Sequence, residues 1–121
     1  MDVPIDFVIR SANAAEPQAL RAYAERRLAF ALRRFEHRAR HVTVRLADIN
    51  GPRRGVDSRC AIALQLHDGR HLEVEAVTAW PFASITRAAK RLNEALRREL
   101  EKAQLSTRRR HRSRFDAPAG A

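Results

Sequence analysis

Two hydrophobic rhythms alternate along the chain. Val3, Ile5, Phe7 and Ile9 are interleaved with Pro4, Asp6, Val8 and Arg10, the period-two pattern of a half-buried strand. Beyond Pro17 the period lengthens. Leu20, Tyr23, Ala24, Leu28, Ala31 and Phe35 share one face of a helix that runs to about Phe35, with Arg21, Arg26 and Arg33 off that face. Asn13 with Glu16 three residues later has the form of a capping box, and Pro17 suits a first helical turn. Residues 41–49 return to alternation, with Val42, Val44 and Leu46 inward. Asn50-Gly51-Pro52 then opens a loop that continues to Asp57. A third strand, 59–66, turns Cys60, Ile62, Leu64 and Leu66 inward, and a fourth, 70–78, does the same with Leu72, Val74 and Ala76. Asp68-Gly69 between them predicts a two-residue hairpin of type I′, whose central residues both need positive φ. After Pro81, the apolar positions Phe82, Ile85, Ala89, Leu92, Leu96, Leu100 and Ala103 predict a long amphipathic helix over 82–103.

The predicted order is β-α-β-β-β-α. Alternation along the strands leaves one face of the sheet buried and the other wet. Two amphipathic helices suffice to cover the buried face, which makes the fold class α+β, a two-layer sandwich of a four-stranded sheet with both helices on one side. The last three strands and second helix resemble a double-stranded-RNA-binding domain, a module that recognises shape and phosphate. With 121 residues the chain is one domain, spanning 1–104. Residues 105–121 are basic and poor in apolar side chains, and are expected to form a disordered tail.

Charge sharpens the picture. The formal net charge is +10, and the stretch from Phe82 to Arg114 holds most of it. Arg87, Lys90, Arg91, Arg97, Arg98 and Lys102 fall opposite the apolar face of the last helix, and Arg108, Arg109, Arg110, Arg112 and Arg114 follow. Against these eleven cations stand Glu94, Glu99 and Glu101, a balance of +8. A charged helix face is often no more than a solvated one, and Glu94 can pair with Lys90, Arg91, Arg97 and Arg98. The arginine run after it has no acid within it and adds nothing to a core, so it reads as an anion-binding arm. A polyanionic partner follows, most simply nucleic acid. Lysine occurs only at 90 and 102, and the preference for arginine suits bidentate phosphate contacts.

Other chemistry is sparse. Cys60 has no internal disulfide partner and alternates with Ile62 and Leu64 as a buried apolar residue would. His67 and His71 flank the hairpin turn without a third ligand at metal-site spacing, so no metal and no cofactor is expected. Asp48 and Asp57 bracket a loop, where aspartates cap turns; a hydrolytic use of the pair is the weaker reading, and no enzyme is expected. No stretch is long and apolar enough to span a membrane and no signal peptide opens the chain, so the expected location is cytoplasmic, without membrane or small-molecule partners. Trp80 either stacks on a base or, the favoured reading, packs where the last helix begins.

Three stretches carry a family resemblance. Residues 19–28, Ala-Leu-Arg-Ala-Tyr-Ala-Glu-Arg-Arg-Leu, with Arg34-Phe35 after them, are similar to the first helix of the ribosome hibernation-promoting factors, the short ribosome-associated inhibitors of translation. Asp48, Asn50-Gly51-Pro52, Gly55, Asp57, Arg59 and Cys60 resemble a D-x-N-G-P-x-x-G-x-D-x-R-C loop of one branch, and Ala88-Ala89-Lys90-Arg91-Leu92 resembles the family's last helix. The resemblance covers residues 3–102. Thr86 and Lys90 stand where the family commonly has acids, and Phe82 where it has Tyr.

The resemblance implies binding to the small ribosomal subunit and its RNA, in the channel used by messenger and transfer RNA, with translation blocked and idle ribosomes preserved under stress. The expected RNA contacts are Arg87, Lys90, Arg91, Arg97, Arg98 and Lys102, then Arg53 and Arg54 in the loop, and Arg108, Arg109 and Arg110 beyond the helix. The alternative is a nucleic-acid-binding module, similar to the double-stranded-RNA-binding domains, with no preference for the ribosome.

Overall fold

The computed structural model of the chain describes residues 3–10, 17–50 and 56–116. Strand β1 (Ile5–Arg10) leads to helix α1 (Pro17–Ala31), a short 3-10 turn (Glu36–Arg38), strands β2 (Ala39–Asn50), β3 (Val56–Leu66) and β4 (His71–Thr78), and helix α2 (Pro81–Asp116). The sheet order is β1-β2-β3-β4. β1 and β2 are parallel, with Phe7 opposite Val44, and α1 is the crossover that a parallel pair requires. The other two pairings are antiparallel. The expected α+β sandwich is the fold observed.

The core lies between the sheet and the helix pair. Val42, Val44, Leu46, Cys60, Ile62, Leu64 and Leu66 point into it from the central strands, Leu20, Ala24, Leu28 and Leu32 from α1 and its last turn, and Ile85, Ala88, Ala89, Leu92 and Leu96 from α2; all are nearly inaccessible to solvent. Burying a leucine of this kind is worth about 1.5–3 kcal/mol. The edge strands are less enclosed. Ile5, Phe7 and Ile9 of β1 and Leu72 and Val74 of β4 are partly buried against the same core.

The two helices run side by side in the same direction. Near their beginnings the Tyr23 ring meets Phe82 edge-on, with centroids 5.2 Å apart. The Tyr23 hydroxyl also bonds to Thr86 Oγ1, and because Thr86 donates its own proton to the Phe82 carbonyl, Tyr23 is the donor. Further along, Asn93 Nδ2 donates to the Ala31 carbonyl over 2.8 Å. That bond satisfies one of the carbonyls left free at the end of α1.

Three expectations are corrected. The first helix ends at Ala31 and not at Phe35. Residues 32–35 turn instead, the Phe35 N–H bonding to the Leu32 carbonyl, and Phe35 still packs on the core. The β3–β4 hairpin has a three-residue loop in place of a type I′ turn. Gly69 N–H bonds back to the Leu66 carbonyl and Leu66 N–H to the Arg70 carbonyl, so His67 and Asp68 are the central residues. Gly69 follows them at φ 91°, a left-handed position that costs glycine little. Last, α2 does not stop at Ala103; it is helical to Asp116. From Phe82 onward there is no proline before Pro118 and no glycine before Gly120, and arginine is among the better helix formers. Propensity and continuity with a packed helix override the mutual repulsion that suggested a disordered tail. The capping box at Asn13 and Glu16 and most of the Asn-Gly-Pro loop lie outside the described residues.

Candidate nucleic-acid interface

The outer surface of the helix layer is built by two stripes of α2 and one of α1. On α2, Thr86, Lys90, Asn93 and Arg97 recur at three- and four-residue intervals, and the contacts of Thr86 and Asn93 place this stripe along α1. Arg87, Arg91, Arg98 and Lys102 form the other stripe, toward β4. All six expected cations are exposed. Glu94 and Glu101 are exposed between the two rows.

The six are not equivalent. Arg91 donates from Nη1 to the Glu75 carbonyl, a backbone acceptor on the outer strand β4, so it also ties helix to sheet. Arg98 Nε reaches the Glu94 carbonyl at 3.4 Å. Glu99 is engaged from the other side by Arg70, whose guanidinium bridges Asp68 (2.7 Å) and Glu99 (3.1 Å), fastening the hairpin to α2. The Arg70 guanidinium holds the Asp68 carboxyl below the usual carboxylate range through a direct hydrogen bond. Arg53 and Arg54 lie outside the described residues. Arg108, Arg109 and Arg110 are carried on the helical backbone of α2.

α1 and the turn after it supply further cations. Arg26, Arg33 and Arg34 are exposed, and Tyr23, through its contacts with Phe82 and Thr86, sets α1 against α2. Phe30 is 70% exposed, with the Arg27 guanidinium 5.9 Å from its ring centroid, a cation–π contact. Arg27 Nε is buried with no partner among the described residues. In sequence these arginines look like the solvated side of an ordinary amphipathic helix. The Tyr23–Thr86 bond, closing a 63-residue separation, sets the helix that carries Arg26 beside α2.

Aromatic groups mark the start of α2. Trp80 leans on Phe82 with centroids 5.2 Å apart, yet stays 62% exposed. It thus packs on Phe82 where α2 begins, the favoured expectation for it, and still shows most of its ring to solvent. Tyr23, Trp80, Phe82, Arg87, Lys90, Arg91 and Glu94 line an open groove of about 660 Å³. Cys60 sits at the centre of the sheet, where burial pushes its thiol up to about 12, far from use as a nucleophile at neutral pH.

A sheet covered on one side by two parallel helices, with cations and exposed aromatics on the outer helix surface, defines an α+β sandwich with one basic face. The comparisons give this class a family. Residues 7–104 match the family described as sigma 54 modulation protein / S30EA ribosomal protein; the chain belongs to it, the family of ribosome-associated hibernation factors that its residues resemble. The structure is similar to the crystal structure of the Thermus thermophilus Protein Y N-terminal domain, with a TM-score of 0.58, 25% identity and coverage of 79% of this chain and 98% of that one. It shares its fold with a ribosomal subunit interface protein from Coxiella burnetii, at a TM-score of 0.64 and 12% identity, covering 82% of this chain and 99% of that one. No curated protein matches it in sequence. Among the described residues no helix is long and apolar enough to cross a membrane.

Proposed function

We propose that the protein binds ribosomal RNA of the small subunit through the outer surface of its helix layer and obstructs the channel that messenger and transfer RNA would occupy. The observation that carries this reading is the exposure of Arg87, Lys90, Arg91, Arg97, Arg98 and Lys102 along α2, with Arg26, Arg33 and Arg34 also exposed on the neighbouring α1 and the turn that follows it. Such a surface meets phosphates from several directions at once, and family membership names the ribosome as the RNA on which it would do so. The protein would act by occupancy. Its cations replace counterions on the RNA, and its body excludes other ligands. Arg53, Arg54, Arg108, Arg109 and Arg110 extend the same contact set by charge, and no catalytic step is required.

Co-sedimentation with ribosomal subunits through sucrose, with excess transfer RNA as competitor, tests the proposal. Stoichiometric pelleting with the small subunit that survives competitor is expected. Loss of the protein to competitor, or equal pelleting with both subunits, would reduce it to a generic polyanion binder. Affinity for any nucleic acid would then fall steeply with salt, in proportion to the phosphates neutralised.

A further inference from the structure

Nothing in the fold calls for an indole at position 80. The Trp80 carbonyl accepts the Ser84 N–H over 3.1 Å, which makes it the cap residue of α2. Serine, threonine, asparagine and aspartate are favoured there because a side-chain oxygen can satisfy a free N–H; tryptophan offers none. The backbone is nevertheless held firmly. Thr78 Oγ1 donates to the Trp80 carbonyl at 2.6 Å, and Pro81 fixes the following φ. A fixed backbone therefore presents a large aromatic ring to solvent, supported by the Phe82 ring. The groove beside it holds three cations, Arg87, Lys90 and Arg91, against the single carboxylate Glu94.

Rigid exposed aromatics beside cations are how proteins hold single-stranded nucleic acid: bases stack on the rings and phosphates lie along the charges. A duplex has no free base face to give, since its bases cover one another. We infer that Trp80 is a stacking platform for an unpaired nucleobase, with Arg87 and Lys90 meeting its flanking phosphates, so that the helix layer engages RNA at a single-stranded or bulged position and not along a duplex. This rests on the nucleic-acid reading above and narrows it, against the double-stranded-RNA parallel suggested by the order of strands. An exposed indole can also seat a protein partner; the positive surroundings favour the polyanion.

Trp80 is the only tryptophan in the chain, so its emission reports this site alone. The full chain is titrated with short oligouridine RNA and with a duplex RNA of equal length at one salt concentration. Anisotropy of end-labelled RNA reads binding, and tryptophan emission with unlabelled RNA reads stacking. Both RNAs are expected to bind, and only the single strand to quench. Trp80→Ala should weaken oligouridine binding roughly 5- to 150-fold, the range covered by one base–aromatic stack, and leave duplex binding unchanged, while Trp80→Phe keeps most of the affinity. Unchanged emission at saturation with oligouridine, equal quenching by duplex, or wild-type affinity in Trp80→Ala would each overturn the inference, the last leaving the indole to a protein partner. If neither RNA changes its anisotropy, the nucleic-acid reading itself fails and takes this one with it.

Discussion

On the outer side of the helix layer, Arg26, Arg33, Arg34, Arg87, Lys90, Arg91, Arg97, Arg98 and Lys102 are exposed beside Glu94 and Glu101. On the open side of the sheet, Arg10, Arg45 and Arg59 share the surface with Asp6, Asp57, Glu73 and Glu75. There Arg59 pairs with Glu75 and His41 with Asp6 at 2.9 Å, and the floor is small: Ala47, Ala61 and Ala63. One face is strongly cationic and the other nearly balanced, within the same chain of +10. An arginine excess imposed by genome composition alone would fall on both faces alike. Its concentration on one of them is a property of the fold, and it is why the helix layer, not the total charge, is the candidate interface.

The largest effect should come from separating the layers that create the two faces. Leu92 is fully buried between helix and sheet, and Leu92→Ala should cost about 2–5 kcal/mol of stability, read by chemical denaturation. Next, the faces can be set against each other. Lys90→Glu with Arg97→Glu should weaken binding to the small subunit at least tenfold and flatten its salt dependence, each lost phosphate contact lowering the log–log slope by about 0.7–0.9. Arg10→Glu with Arg45→Glu, equal in charge change, should leave binding within about threefold. Equal losses from both pairs would mean that only net charge matters. Lys90 and Arg97 suit this test better than Arg91, whose bond to the Glu75 carbonyl makes its loss structural as well.

A smaller effect is expected at the hairpin clamp. Arg70 lowers the Asp68 carboxyl in the folded state, so this pair stabilises the fold above the ordinary aspartate range, near pH 4, and the contribution disappears as pH falls through the depressed value. Arg70→Ala should lower the melting temperature slightly at neutral pH, and the difference from the parent chain should vanish in acid. The smallest effect concerns Cys60. Its thiol is raised to about 12 when folded, so stability should begin to decline only as pH passes the unfolded thiol value near 8.5, and modification by a disulfide reagent at neutral pH should proceed no faster than unfolding.

Much of this architecture is legible without coordinates, because it depends on local period. The alternation of Cys60, Ile62, Leu64 and Leu66, and the recurrence of Ile85, Ala89, Leu92 and Leu96, mark core faces that the fold then uses. The charge of α2 and its exposure are equally direct. What sequence hides is set by pairing over distance. The Tyr23–Thr86 bond closes a 63-residue separation, and with the Asn93–Ala31 bond it sets α1 beside the basic helix α2. The Arg91 bond to a carbonyl of β4 is likewise invisible in a helical projection. The exposure of Trp80 is hidden in the sequence because packing on Phe82 leaves most of its ring in solvent. The end of α2 is hidden because charge repulsion in 108–114 competes with helix propensity.

The length of α2 has a consequence of its own. Its 36 residues span about 54 Å at 1.5 Å per residue, while the fully buried side chains end at Leu96. Helices are costly to nucleate and cheap to extend, and the turns from Ile85 to Leu96 are already fixed by packing, so the later turns need only propagate. They inherit a phase as well as a direction. Every residue added between the core and Arg108 would advance the arginine run by 1.5 Å and rotate it by about 100° about the helix axis. At that pitch positions 108, 109, 110, 112 and 114 are spread around the axis, so an insertion near Ala103 would change the distance of the run from the core without giving it a new bearing. The segment after the core thus sets reach as much as it stores charge.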